Sequence, residues 1–271
     1  MAKPDKDYHV IEGKPLPRVT SILDVISKPA FTWWAAKEER ELLLTAASSV
    51  YEGHHLNKLA VPSRRREWPS PLAFRQELVD RLGAERGFQK ASRKALDIGS
   101  QAHARIEWEV KRQLRQAGGP EPVLRDEALL AYMSYEDWAK SVRFKPRESE
   151  TLVWYEEEGY AGHLDIVGEV EETLIQVSIK TGKAIYLDAK LQEVAYWYAQ
   201  VSHHWAESSL GTAEAVDAQR AATPKRIIIL RLPKTLEDPE FEVQEVPQEK
   251  WHYYFEMFLA AKLLWERAKN E

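Results

Sequence analysis

Cysteine is missing from all 271 residues. Its absence excludes a disulfide framework, a cysteine nucleophile, Cys-ligated zinc and any Fe-S cluster. No apolar run approaches the roughly 18 residues that a membrane-crossing helix needs, so no membrane partner is expected. The opening stretch MAKPDKDYHVIEGK has no apolar core of the kind a secretion signal carries, and a cytoplasmic protein is expected. There is no HExxH for a zinc peptidase, no GxxxxGK[ST] for an ATPase and no GxSxG for a serine hydrolase. Any motor or helicase acting with this chain must therefore be a separate protein. Repeats of 20 to 50 residues and low-complexity tracts are absent as well.

What remains is a globular composition, 44% hydrophobic and 30% charged, with a net charge of −5. A uniformly basic nucleic-acid coat is excluded. The charge is uneven, however. Residues 61–120 hold 13 Lys/Arg against 7 Asp/Glu, a balance of +6, which leaves −11 for the rest of the chain. A basic helical region beside an acidic one suits a metal-dependent phosphodiesterase, with one surface for phosphate and one pocket for cations.

The first half reads as helical. Thr20 is a candidate N-cap in RVTSILDVI. A helix is expected to open at Pro29 and close at Gly53, and Ser70-Pro71 forms a cap and first-turn pair for LAFRQELVDRL. QKASRKALDIGSQAHARIEWEVKRQLRQ is a long amphipathic pattern that AGGPEP stops. The grammar changes near Lys145, where SETLVWYEE, YAGHLDIVGEV and TLIQVSIK read as a meander of antiparallel strands. A helix over 187–208, strands in KRIIILRLPK and FEVQEVP, and a closing helix from QEKWHYY onward complete the chain. The expected fold is α/β: a mixed central sheet flanked by helices, after a mainly helical N-terminal half. Residues 1–271 read as a single domain, with 1–145 the helical part and 146–271 the sheet part.

The chemistry gathers around QVSIK. Alternation turns Ile175, Val177 and Ile179 to one face of the strand and Gln176, Ser178 and Lys180 to the other. On the preceding strand, His163 and Asp165 share a face. A sheet with its apolar side buried would present Asp165, Ser178 and Lys180 together on the opposite side. A carboxylate that holds a cation beside a lysine that polarises water or phosphate is a phosphodiesterase pattern.

GHLDIVG, IQVSIKTGK and LQEVAYWYA, in that order, resemble the RecB-like branch of the PD-(D/E)xK nuclease superfamily. The matching elements are Gly162 to Asp165, then Ser178-Ile179-Lys180-Thr181-Gly182, then Gln192 with Tyr196. The upstream GSQAHARIE supplies Gly99 and His103, and Glu150 stands where the branch often has a glutamate. The likeness covers residues 95–200. RVTSILDVISKPAFTWWAAK also resembles the start of phage and bacterial members. The resemblance implies a restriction-endonuclease-like core and a Mg2+- or Mn2+-dependent deoxyribonuclease, most simply an exonuclease on single- or double-stranded DNA. It implies work in recombination, repair or phage replication, in the cytoplasm of a bacterial or phage-infected cell. Asp165, His103 and the backbone carbonyl of Ile179 become metal ligands and Glu150 a further candidate. Lys180 becomes the catalytic lysine, with Gln192 and Tyr196 orienting it or the phosphate. Arg64, Arg65, Arg66 and Lys183 are candidates for gripping the DNA backbone.

Ser178 departs from the pattern, because family members carry a metal-binding Asp or Glu there. Serine brings no charge to offset a cation. Two explanations stand open. In one, the carboxylate has moved to Glu193. The Ser-x-Lys to Glu spacing is similar to a subgroup of type II restriction enzymes whose acidic residue sits on the helix. At about 100° per residue from Gln192, Glu193 falls near 100° and Tyr196 near 40°, away from the apolar stripe of Leu191, Val194, Tyr198, Val201 and Trp205 at roughly 180–260°. In the other, Ser178 is an inactivating substitution, natural or introduced, and the chain binds DNA without cutting it. A helix-rich interaction protein with a vestigial sheet is a third reading, and it predicts no DNA binding.

Overall fold

The computed structural model describes residues 6–26, 29–60, 70–83, 86–116, 118–207, 222–235, 238 and 240–269. The chain forms two compact units, Met1–Ser27 with Ile98–Glu271, and Lys28–Asp97. These units do not divide at residue 145.

The Lys28–Asp97 unit is helical: α2 (Pro29–Ala60), α3 (Pro71–Leu82) and the start of α4 (Gly87–Gln113). Ser70 caps α3 as its sequence indicates, its hydroxyl accepting from the Ala73 N–H at 3.2 Å with Pro71 in the first turn. Helix α2 runs past Gly53, where the sequence placed its end. A glycine inside a helix costs only about 1 kcal/mol relative to alanine, too little to stop one alone.

The larger unit opens with a hairpin that the sequence reading missed, β1 (Tyr8–Ile11) and β2 (Lys14–Pro17). Ile11 pairs with Lys14, so Glu12-Gly13 is a two-residue turn, and both residues have positive φ. Such a turn matches the twist of paired strands. The short α1 (Val19–Leu23) then begins after Arg18 rather than at Thr20. The Arg18 N–H donates to the Asp7 carbonyl at 2.8 Å and bridges to Ala161, so the hairpin fixes where the helix starts.

The sheet has five strands in the order β3-β4-β5-β6-β7: Lys145–Tyr155, Tyr160–Val170, Thr173–Lys180, Arg226–Arg231 and Glu242–Glu245. The first three form the expected antiparallel meander, whereas β6 lies parallel to β5. Helix α6 (Leu187–Glu207) provides the crossover, and α7 (Trp251–Lys269) ends the chain.

Both faces of this sheet are covered, as expected of a sheet flanked by helices. Ile166, Ile175, Val177, Ile179, Ile228 and Leu230 pack with α4 and with α5 (Asp126–Ser141). Leu164, Val167, Ile227 and Ile229 pack with α6 and α7. A crossover helix lies on the sheet face by necessity. The face that holds Gln176 and Ser178 is therefore sealed under α6, and both side chains are fully buried.

Candidate active site

Strand β4 changes its inward side at Asp165. Leu164 packs in the α6/α7 core and Ile166 in the α4/α5 core, so strict alternation fails between them. The β3–β4 register pairs Ser149 with Ile166 and Thr151 with Leu164, but skips Glu150 and Asp165. Glu150 there has φ 52°, left-handed for a residue with a side chain. Such irregularities cost energy and persist where the surroundings enforce them. They free Asp165 to reach β5. Its Oδ2 accepts from the Ser178 hydroxyl at 3.2 Å and from the Ile179 N–H at 2.7 Å.

Helix α6 closes the site from above. Lys180 Nζ makes long contacts of 3.5 Å to Gln192 Oε1 and to Glu193 Oε1. Gln192 Nε2 donates to the Tyr196 hydroxyl at 3.2 Å, so Gln192 bridges the lysine and the tyrosine. Glu193 is 1% exposed although it lies off the apolar stripe of α6. The sequence reading gave Gln176 no role. Its Nε2 donates to the Glu193 carboxylate and backbone carbonyl, each at 2.9 Å. Its position two residues before Ser178 on β5 was the available signal.

The electrostatics follow from burial. Desolvation pushes the Glu193 carboxyl up, Lys180 opposes this and Asp165 adds to it. Burial likewise lifts the Tyr196 phenol far above its usual range, so it remains protonated. Glu150 is pushed up to about 7, first by desolvation, then by Asp165 and Glu107, with Lys111 opposing. Glu107 is half-buried on α4 and ion-paired with Lys111.

Two glycines of the sequence motifs acquire physical reasons. A Cβ on Gly162 would lie 2.3 Å from Tyr196 Cε1, and one on Gly99 would lie 2.7 Å from Thr181 Oγ1. Gly162 admits the Tyr196 ring, and Gly99 brings α4 against the loop after β5. Gly162→Ala is expected to destabilise the fold by about 1–3 kcal/mol through overpacking. In a Tyr196→Ala background, itself destabilised by loss of the buried ring, the added cost of Gly162→Ala should largely vanish. Denaturant titration of the single and double variants checks it, and simple additivity would rule the contact out.

The raised Glu150 carboxyl predicts a pH trend in the metal-free protein. Its folded value lies above the ordinary 4.5, so the unfolded chain ionises first as pH rises. This group's contribution therefore falls as pH climbs from about 4.5 to about 7. Glu150→Gln should leave stability unchanged at pH 4 and raise it at pH 8. Unfolding midpoints measured in chelator at both pH values check the trend.

Direct contacts thus join Asp165, Ser178, Ile179, Lys180, Gln192, Glu193 and Tyr196. His103 is half-buried on α4, one turn beyond Gly99, and makes no hydrogen bond among the described residues. Among those residues no three acidic or histidine side chains converge as a ready cation cage, so His103 and Glu150 do not complete one with Asp165 and Glu193. Lys183 is exposed in the loop after β5. Arg64, Arg65 and Arg66 lie outside the described residues. No described helix is long and apolar enough to cross a membrane.

No family model and no curated protein sequence matches the chain. Among solved structures, a Eubacterium rectale protein named "Putative exonuclease" is similar over 75% of this chain and 76% of its own, at 15% identity and a TM-score of 0.37. A likeness at that level carries no argument about activity.

Proposed function

We propose that the chain is a divalent-metal-dependent nuclease, in which helix α6 supplies the carboxylate that strand β5 lacks. Glu193 carries this reading. It is a fully buried carboxylate beside Lys180, bonded by Gln176 and close enough to Asp165 to feel its charge. A fully buried carboxylate beside a half-buried one, with a single lysine at 3.5 Å, is poorly compensated. A cation is the natural complement.

The donor chemistry fits Mg2+ or Mn2+, which take hard oxygen ligands and keep several waters. Asp165 Oδ2 is occupied by Ser178 and Ile179, and among the described residues no protein donor meets Oδ1. Asp165, Glu193 and the Ile179 carbonyl would hold such an ion, with His103 and Glu150 as further candidates. The chemistry it supplies is a lowered pKa for water and stabilisation of charge on phosphorus. Lys180 orients the attacking water and neutralises the phosphate. Gln192 and Tyr196 steady the lysine, and the buried Gln176 fixes the Glu193 carboxylate. The substrate in this reading is DNA, attacked exonucleolytically in recombination, repair or phage replication. Lys183 and Arg64 to Arg66 would contact its backbone. The motif order around Asp165, Lys180, Gln192 and Tyr196 supports the assignment to the RecB-like branch.

The test is cleavage of 5′- and 3′-labelled single- and double-stranded DNA with Mg2+, with Mn2+ and with chelator. Ser178→Asp is run in parallel. Metal-dependent cleavage by the unaltered chain, with no gain in Ser178→Asp, is the expected result. The buried site should reject a third carboxylate, and Ser178→Asp should also lower stability. An inert chain that Ser178→Asp awakens would instead identify the serine as an inactivating lesion in a DNA-binding protein.

A further inference from the structure

The outer face of α7 carries an apolar seam. Tyr253, Leu263 and Leu264 are 58%, 55% and 63% exposed, Ala260 is exposed, and Met257 is half-buried. At about 100° per residue from Tyr253, the set Leu263, Ala260, Tyr253, Leu264 and Met257 spans roughly 280° through 0° to 40°. The buried residues Trp251, Tyr254, Phe255, Phe258, Ala261 and Trp265 span roughly 80–200°. The seam therefore lies opposite the core stripe, where a helix on a monomer surface is normally polar. Tyr253, Met257, Ala260 and Leu264 follow the i, i+4, i+7, i+11 spacing of a helix that packs on another helix.

Two charges lie within this arc, between Leu263 and Ala260. Glu256 falls near 300° and Arg267 near 320° on the same scale. Arg267 makes no ion pair among the described residues. Among the described residues Glu256 meets only His252, at 3.4 Å, an ion pair only when that imidazole is protonated. In an antiparallel pair of identical helices, same-side residues face each other. A crossing midway between Ala260 and Leu263 would set Glu256 of each copy against Arg267 of the other, and Ala260 against Leu263, each twice by the two-fold axis. Parallel pairing would instead bring like charges level. The small Ala260 side chain lets the helices approach.

We propose that the outer face of α7 is an isologous interface, and that its occupant is a second copy of this chain paired antiparallel through Tyr253, Ala260, Leu264, Glu256 and Arg267. This arrangement does not depend on the catalytic reading.

Sedimentation equilibrium of the full chain tests it. The chain should self-associate to a dimer, and Leu264→Glu should abolish the dimer without loss of helical circular dichroism. Glu256→Arg and Arg267→Glu should each weaken association by about tenfold or more, and the two together should restore it, because each copy then carries the swapped pair. A chain that stays monomeric at about 100 µM overturns the proposal. So does a dimer that these substitutions leave untouched, and so does a double reversal that remains as weak as the singles.

Discussion

Glu193→Gln is expected to lower kcat for metal-dependent DNA cleavage by about a thousandfold, on the order of 4 kcal/mol of barrier, while the folding midpoint holds or rises. Glutamine keeps the shape of the side chain, and its amide oxygen can still accept from Gln176, whose Nε2 lies 2.9 Å from Glu193 Oε2. Only the charge disappears. In the metal-free fold that charge is a burden, because burial pushes the Glu193 carboxyl up and Asp165 adds to the push. A carboxyl with a raised folded pKa is destabilising once it ionises, so the variant should gain most above the ordinary carboxylate range. Lys180 loses an ion-pair partner, but its side chain is 23% exposed and retains some access to water. Single-turnover cleavage at saturating Mn2+, read beside denaturant unfolding at pH 8, separates the two effects. Retained cleavage would sink the assignment of Glu193 as the displaced carboxylate. So would a loss of cleavage that merely tracks unfolding.

That prediction depends on how α6 sits, which the sequence disclosed only in part. Spacing was enough to put Gln192, Glu193 and Tyr196 on one arc of a helix and Asp165 beside Ser178 on neighbouring strands. It could not say that this arc is buried. An apolar stripe at helical period identifies one packed face, and α6 has two, because its polar face lies on Gln176 and Ser178 while α7 covers part of the other. A helix packed on both sides looks amphipathic when its second face is held by hydrogen bonds rather than by apolar contact. The break at Asp165 was equally hidden. Alternation reads a strand as regular, and neither Glu150 nor Asp165 is a residue type that announces a left-handed φ or a skipped pair. The β1–β2 hairpin was missed because its strands are four residues each, too short for a periodic signal, although Glu12-Gly13 is a recognisable turn. The β-meander, the crossover helix and the closing helix were legible because each is long and sharply bounded. His103 was legible as a motif residue, yet a motif fixes which face of α4 it occupies and not what it touches.

Phe258→Ala should produce the opposite profile to Glu193→Gln: a stability loss of about 3–5 kcal/mol with a much smaller fall in the turnover of molecules that remain folded. Phe258 is fully buried and meets Tyr160 edge-on, with ring centroids 4.8 Å apart, and lies 6.3 Å from Phe255. Truncation removes those contacts and leaves a cavity walled by rigid aromatic rings that cannot collapse into it, which places the cost toward the upper end of the range. The same ring supports the site indirectly. The Tyr160 hydroxyl donates to the Ala195 carbonyl at 2.9 Å, two residues after Glu193, and so ties β4 to the turn of α6 that carries the carboxylate. Loosening Phe258 leaves that bond in place, and Gln176 still grips Glu193 from the sheet side. The helix is thus held at this turn from β4 and from β5 independently of α7. Equilibrium denaturation and turnover per folded molecule can be measured on the same preparation. A stability change under about 1 kcal/mol would mean that α7 does not pack on β4 as described, since full removal of a buried phenylalanine cannot be so cheap. A collapse of turnover in fully folded protein would mean that Glu193 is positioned through α7 rather than by Gln176 and Tyr160.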